Sequence, residues 1–146
     1  MISGGSAGGY SVLMALANSS RFAAGCCYYG ISDLALLLAH THKFESGYLH
    51  RLLGTTPADW QATFAARSPI TLADNIGSPL IVFQGRDDKV VPPEQSRRIV
   101  ETLKRKGQMV EYWEFDGEQH GFRRASTIAT ALERELAFLT RILKLE

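Results

Sequence analysis

The stretch "GGSAGGY", residues 4–10, decides the fold of this chain, because it places a serine among closely spaced glycines. Gly4-Gly5-Ser6-Ala7-Gly8 matches the pattern G-x-S-x-G, in which the serine occupies a tight, strained turn between a strand and a helix. Glycine suits the outer positions because the neighbouring backbones approach too closely for a Cβ atom. A phosphate-binding glycine loop is the alternative interpretation, but the lysine of a P-loop is absent from this stretch.

Outward from this stretch, short apolar runs alternate with segments of helical periodicity. Strands are predicted for three runs bounded by turn residues: 23–29 ("AAGCCYY"), 79–84 ("PLIVFQ") and 110–115 ("VEYWEF"). Helices are predicted for the segments 11–20, 93–107 and 126–145. This alternation favours a parallel sheet flanked by helices. The less regular residues 33–74 are predicted to be a helical insertion that covers one end of the sheet.

The loops after two predicted strands carry the groups that a serine nucleophile needs. Residues 86–92 contain Asp87 and Asp88, and residues 116–122 contain His120. Open parallel sheets place reactive side chains in such loops, beyond the carboxyl ends of the strands. Serine is a weak nucleophile at neutral pH, so an imidazole must take its proton and a carboxylate must orient the imidazole. The chain order Ser, Asp, His is the order expected for α/β-hydrolases.

The residues alone leave alternatives open for the acid and the base. Asp87 and Asp88 compete for the role of the acid, and the other of the two is expected to stabilise the turn. Asp33 follows a predicted strand and is a further candidate, although Ser32-Asp33 before an apolar run is typical of a helix N-cap. A lone histidine between glycines and charges is ordinarily solvated, and the position of His120 after the last strand is what favours catalysis.

Composition restricts the possible partners. The formal net charge is +1 without a dense run of lysine and arginine, so neither nucleic acid nor a membrane surface is an expected partner. The two cysteines, Cys26 and Cys27, are adjacent in an apolar run, which is typical of buried free thiols and indicates the cytoplasm. His40, His42 and His50 lack companion ligands at metal-binding spacing, so no metal site is expected.

Four stretches together resemble the prolyl oligopeptidase family, especially its acylaminoacyl-peptidase-like branch: "GGSAGGY", "YYGISDL", "SPITLADNIGSPLIVFQGRDDKVVPPEQS" and "EFDGEQHGF". The resemblance covers nearly the whole chain. It implies that Ser6 is the nucleophile, Asp88 the orienting acid and His120 the general base. It also implies that the backbone N–H of Ala7 is an oxyanion donor and that short or acylated peptides are hydrolysed without a cofactor.

Relative to that family, residues 1–146 correspond to the C-terminal part of the α/β-hydrolase domain, without the N-terminal strands and the β-propeller. The family's second oxyanion donor lies upstream of the serine, so low activity is expected of this chain in isolation. An unpaired sheet edge would also favour association with a second copy. Three functions therefore remain: a serine peptidase acting through an acyl-enzyme, a carboxylesterase for small esters, and an inactive fragment that self-associates.

Overall fold

A sheet of four parallel strands forms the centre of the protein, in the order β1-β2-β3-β4. The computed structural model describes residues 1–40, 46–56 and 58–144. The strands are β1 (Ile2–Gly5), β2 (Gly25–Tyr28), β3 (Leu80–Gly85) and β4 (Val110–Phe115). The predicted parallel sheet is confirmed. Because the strands run in one direction, their carboxyl ends meet at one edge, where the loops that follow them lie close together.

Helices follow each strand. The α-helices are α1 (Ala7–Asn18), α2 (Leu34–His40), α3 (Ser46–Leu53), α4 (Trp60–Ala66), α5 (Glu94–Arg105) and α6 (Ala125–Leu143), and a 3-10 helix spans Pro69–Asn75. The prediction for the first helix started too late, since α1 begins directly after Ser6. Glycines have low helix propensity and obscured its first turn in the sequence. Gly9 is needed there, because a Cβ atom on it would lie 2.7 Å from the Cα of Gly30.

Side chains of β3 alternate between two cores, one on each face of the sheet. Leu80 and Val82 pack in the core that α1, α5 and the 3-10 helix cover. Ile81 and Phe83 pack against Phe138 of α6 on the opposite face. All four strand side chains are at most 1% exposed, and burying each such side chain stabilises the fold by about 1.5–3 kcal/mol. The central strand thus fixes the frame on which the loops are mounted.

The described residues between β2 and the 3-10 helix form a helical layer beside the carboxyl ends of the strands. Helices α2, α3 and α4 pack around Leu34, Leu49 and Phe64. The buried side chain of Gln95, on α5, fastens this layer by accepting the N–H of Ser32 at 2.9 Å. The helical character predicted for this segment is present in its described part, and its status as an insertion stays a prediction.

Cys26 and Cys27 are free and buried, as predicted. They belong to the cores on opposite faces of the sheet. Burial raises the pKa of the Cys27 thiol to about 12, so this thiol stays protonated and unreactive at neutral pH. Among the residues that the structure describes, none of the helices combines the length and the apolar character needed to span a membrane.

Candidate active site

Ser6 lies at the turn between β1 and α1 in a strained conformation, with φ 58° and ψ −120°. The turn presses Gly4 against Gly8, because a Cβ atom on Gly4 would lie 2.7 Å from the Gly8 carbonyl carbon. A Cβ atom on Gly8 would meet nothing within 4 Å. The expectation that both outer glycines are sterically required is therefore confirmed at Gly4 and wrong at Gly8. The Ser6 N–H donates to the Tyr28 carbonyl at 3.0 Å, which ties the turn to β2.

His120 bridges Ser6 and Asp88. Its Nε2 lies 2.8 Å from Ser6 Oγ, and its Nδ1 lies 2.8 Å from Asp88 Oδ2. In the neutral imidazole with its proton on Nδ1, the Nδ1–H donates to Asp88 and Nε2 accepts the Ser6 hydroxyl. The side chain of Asp88 is 0% exposed and that of His120 is 23% exposed. This geometry allows His120 to remove the serine proton while a shielded carboxylate faces the opposite side of the ring.

The Asp88 carboxylate is fixed by hydrogen bonds from its own loop. Its Oδ1 accepts the backbone N–H groups of Val90 at 2.9 Å and Val91 at 2.8 Å. Its Oδ2 faces His120 and also accepts the Gln84 side-chain amide at 3.3 Å. Because both oxygens are engaged, the carboxylate has little freedom to rotate, and it can hold the imidazole in one tautomer and orientation.

Gln84 is a supporting residue that the sequence interpretation missed. It is the fifth residue of β3 and is 0% exposed. Its amide nitrogen donates to Asp88 and to the Val91 carbonyl at 3.2 Å, and its carbonyl oxygen accepts the Ser96 hydroxyl at 2.8 Å. A buried amide needs such partners to offset its desolvation. The sequence signal that could have identified Gln84 is its position as a polar residue at the end of the apolar run "PLIVFQ".

The other two candidates for the acid lie elsewhere. Asp87 is exposed. Asp33 accepts the backbone N–H groups of Ala35 and Leu36 at 3.0 Å, so it caps α2 as the N-cap pattern predicted. Its second oxygen accepts a hydrogen bond from Arg98 at 2.8 Å. Of the three carboxylates considered from the sequence, the structure places only Asp88 against His120.

Tyr29, a second residue that the sequence interpretation missed, packs beside His120. The two rings meet edge to face with their centroids 5.0 Å apart. Burial, and secondarily the negative charge of Asp88, raise the pKa of the Tyr29 hydroxyl above its ordinary value. Tyr29 also has a positive φ of 38°, which is unusual for an aromatic residue. A neutral, strained tyrosine therefore forms one wall around the imidazole.

Ala7 is the first residue of α1. The N–H groups of the first helical turn have no acceptor within the helix, and the helix dipole places partial positive charge at this end. The peptide N–H that follows Ser6 is therefore available to a negatively charged oxygen near the serine. The oxyanion role that the family resemblance implied for Ala7 stays a prediction.

An apolar pocket of about 290 Å³ opens beside Ser6. Its walls come from α1, the helical layer and the loop after Asp88. The lining residues are Ser6, Ala7, Tyr10, Ile31, Leu34, Leu37, Tyr48, Leu49, Leu52, Leu53, Val90 and Val91. Since these side chains are uncharged and mostly aliphatic, the pocket favours an apolar group over a charged one.

The helical layer contains two described histidines, and each makes a local contact. His40 Nδ1 lies 2.8 Å from the Leu36 carbonyl oxygen, and His50 Nδ1 lies 3.1 Å from the Thr55 hydroxyl. His42 lies outside the described residues. Within residues 1–40, 46–56 and 58–144, no three histidine, cysteine or acidic side chains converge as metal ligands.

Parallel strands that carry reactive groups in the loops beyond their carboxyl ends are the architecture of the α/β-hydrolases, and this chain is a member of that class. Sequence comparison then narrows the class. The pattern that describes the "Prolyl oligopeptidase family" matches residues 1–146. The chain belongs to this family of serine peptidases, as its resemblance implied.

Its relatives include peptidases and a probable esterase. Dipeptidyl aminopeptidase BIII of Pseudoxanthomonas mexicana is 35% identical over an alignment of 128 residues, which covers 84% of this chain and 19% of that protein. The probable carboxylic ester hydrolase LipM of Mycobacterium tuberculosis is 34% identical over 157 residues, covering 93% of this chain and 36% of LipM. The solved structure of a Mycobacterium tuberculosis puromycin-hydrolyzing peptidase matches with a TM-score of 0.94 and 43% identity, covering 99% of this chain and 22% of that one.

The chain is much shorter than these proteins. It spans about a fifth of the length of the dipeptidyl aminopeptidase and of the puromycin-hydrolyzing peptidase. It spans about a third of LipM. What the whole relatives do is therefore carried to this chain only as a proposal.

Proposed function

We propose that Ser6, His120 and Asp88 form a catalytic triad that cleaves short or acylated peptides through an acyl-enzyme on Ser6. The observation that carries this proposal is the pair of 2.8 Å contacts made by His120, one to Ser6 and one to Asp88. Family membership supports a serine peptidase, and the peptidases among the relatives favour a peptide bond as the target. The proposed chemistry uses no metal and no cofactor.

In the acylation step, Ser6 Oγ attacks the substrate carbonyl carbon while His120 Nε2 takes the serine proton. Negative charge develops on the carbonyl oxygen, and the Ala7 N–H is the backbone donor that stabilises it. The C–N bond then breaks as His120 gives its proton to the leaving amine, which leaves an ester on Ser6. Water then attacks the carbonyl carbon of that ester while His120 takes the water's proton. His120 passes this proton to Ser6 Oγ as the ester bond breaks, which releases the acid product.

The apolar pocket supports a preference for an apolar substrate side chain next to the scissile bond. Its lining lacks charge, so a lysine or glutamate side chain would lose its hydration without gaining a partner. We expect N-acyl phenylalanine and leucine anilides to be cleaved with a higher kcat/KM than lysine and glutamate anilides. Equal rates for all four would contradict this assignment of the pocket.

A carboxylesterase is the second candidate, and the similarity to LipM favours it. The same triad would hydrolyse an ester by the same steps, with an alcohol as the leaving group in place of an amine. A matched pair of substrates, an N-acyl phenylalanine anilide and the corresponding phenyl ester, separates the two functions. Turnover of the anilide identifies a peptidase, and turnover of the ester alone identifies an esterase.

Labelling with a fluorophosphonate tests the triad directly, because this reagent reacts with activated serines. The purified chain is incubated with the probe, digested and mapped by mass spectrometry, alongside Ser6→Ala, His120→Ala and the control Ser11→Ala. Ser11 lies on α1 and its hydroxyl bonds the Ala7 carbonyl at 3.1 Å. We expect labelling at Ser6 in the native and control chains and in neither triad variant. Undiminished labelling of His120→Ala would contradict the proposed role of the imidazole.

Self-association through the free edge of β1 stays a prediction. Within the described residues β1 pairs only with β2, so its other edge is open to a second copy. Light scattering coupled to size-exclusion chromatography tests it, and a monomer at every concentration would contradict it. A cytoplasmic location also stays a prediction, which the free thiols of Cys26 and Cys27 support.

A further inference from the structure

A buried carboxylate that the mechanism above does not use closes the loop that presents His120. Glu118 lies in the loop between β4 and α6, and its side chain is 2% exposed. Its Oε2 accepts the backbone N–H of Arg123 at 3.0 Å. Its Oε1 accepts both the backbone N–H and the Nε–H of Arg124, each at 3.1 Å. His120 therefore lies inside a loop whose two ends are joined by one side chain.

The same carboxylate lies at the N-terminal end of α6. This helix begins after Arg124 and receives no capping hydrogen bond from the Arg124 side chain. Glu118 instead accepts the Arg124 N–H, at the end of the helix that carries partial positive charge. Burial by itself would raise the pKa of Glu118, but hydrogen bonds, first among them the one from the Arg123 backbone N–H, lower it to about 2. The loop is therefore anchored by a permanent charge at neutral pH.

Backbone contacts fasten the closed loop to the loop that carries Asp88. The Asp87 N–H donates to the Glu118 carbonyl at 2.9 Å. At the end of β3, a Cβ atom on Gly85 would lie 2.5 Å from the carbonyl oxygens of Glu118 and Gln119. The base of the loop is thus pressed against the strand that leads to Asp88, while the Glu118 side chain holds the loop at Arg123 and Arg124.

We propose that Glu118 is a positioning residue: by closing the loop 118–124, its carboxylate holds His120 within hydrogen-bond distance of Ser6 and Asp88 at the same time. The imidazole must meet two partners, each at 2.8 Å, so a small shift of the loop breaks one contact or both. A displacement of about 1 Å in a reacting group typically costs about a hundredfold in rate. This inference rests on the proposed function for its effect on rate, and on the loop geometry alone for its effect on the imidazole.

The test compares Glu118→Gln with Glu133→Gln, which removes the same charge from an exposed position on α6. The glutamine keeps the shape of the side chain, but its NH₂ group cannot accept the N–H that one carboxylate oxygen accepts now. Two properties are measured: the second-order rate of fluorophosphonate labelling at Ser6, and the downfield NMR resonance of the His120 Nδ1 proton that bonds Asp88. Circular dichroism verifies the fold of each variant.

We expect Glu118→Gln to label about tenfold to a hundredfold more slowly and to lose or broaden the Nδ1 resonance, while Glu133→Gln retains both. A folded Glu118→Gln that keeps its resonance and labels within about twofold of the native chain would overturn the inference. If the native chain is not labelled at all, the proposed function fails. The resonance then decides the role of Glu118 separately.

A milder variant keeps the inference testable if Glu118→Gln does not fold. Arg124→Met removes the side-chain hydrogen bond to the carboxylate and retains the backbone N–H that Glu118 also accepts. We expect its Nδ1 resonance to broaden and its labelling rate to fall about twofold to tenfold. An unchanged resonance together with an unchanged rate would overturn the proposal.

Discussion

The two sides of the candidate site are built differently. The proposed reacting groups follow strands of one sheet and are held by hydrogen bonds; they are Ser6, Asp88 and His120. The helical layer that walls the pocket rests on a small apolar cluster and leaves Tyr48 and Leu52 each 62% exposed. Rigid, buried positions suit chemistry, whereas exposed apolar positions suit contacts to substrate. Substitutions on the sheet side should therefore lower kcat, and those in the helical layer should raise KM.

The largest effect is expected from Asp88→Asn. An amide in place of the carboxylate favours the wrong imidazole tautomer, so we expect kcat to fall about 10⁴-fold with the fold retained. The measurement is kcat for an N-acyl phenylalanine anilide, with circular dichroism as a check on folding. Asp87→Asn is the matched control, because Asp87 is adjacent but exposed. A larger loss in Asp87→Asn than in Asp88→Asn would reverse the assignment of the acid.

Substitution of two glycines tests how tightly the turn at Ser6 is packed. Gly4→Ala places a Cβ atom 2.7 Å from the Gly8 backbone and should destabilise the fold by about 1–3 kcal/mol. Gly8→Ala enters open space within α1 and should stabilise it by about 0.5–1 kcal/mol. Urea unfolding measures both free energies. Equal destabilisation by the two substitutions would contradict the described turn.

The helical layer is tested with Leu52→Ser. Leu52 lines the pocket while 62% exposed, so its loss should weaken substrate binding with little effect on folding. We expect KM for the phenylalanine anilide to rise about threefold to tenfold, corresponding to about 1 kcal/mol, with kcat nearly unchanged. Leu136→Ser is the control, since Leu136 is 65% exposed on α6 and lies outside the pocket lining. A fall in kcat without a change in KM would contradict the division of roles.

The smallest effect is expected on the pH dependence of stability, which depends on a charge cluster around Glu114 on β4. Hydrogen bonds from Arg97 chiefly, and then from Tyr112 and Arg86, lower the pKa of Glu114 from 4.5 to about 2. Its stabilising contribution is therefore complete above pH 4.5 and is lost as the pH falls toward 2. We therefore expect the thermal unfolding temperature to fall less between pH 4.5 and pH 2 in Glu114→Gln than in the native chain. The exposed Glu101→Gln should follow the native curve.

The sequence predicted β2, β3 and β4, because each lies within a short, largely apolar run ended by turn residues, and the serine turn implied a strand before Ser6. It also indicated which loops carry the serine, the carboxylates and the imidazole, since parallel strands bring those loops to one edge. It did not indicate Gln84, Tyr29 or Glu118 as supporting residues. Their roles arise from contacts between separate loops and strands, and nothing local distinguishes Glu118 from a solvated carboxylate. The sequence did not indicate the start of α1 because glycines occupy its first turn. Gly9 is required there by its close packing against Gly30, and helix propensity does not reveal such a contact.

Detection of the acyl-enzyme by intact mass tests the central claim most directly. The chain is mixed with the phenyl ester of an N-acyl phenylalanine, quenched in acid at short times and weighed, with the modified peptide then mapped. The triad predicts a transient mass increase equal to one acyl group, located on Ser6 and absent from Ser6→Ala and His120→Ala. Turnover of the ester with no acyl group on Ser6, or an acyl group that persists in Ser6→Ala, would contradict the account.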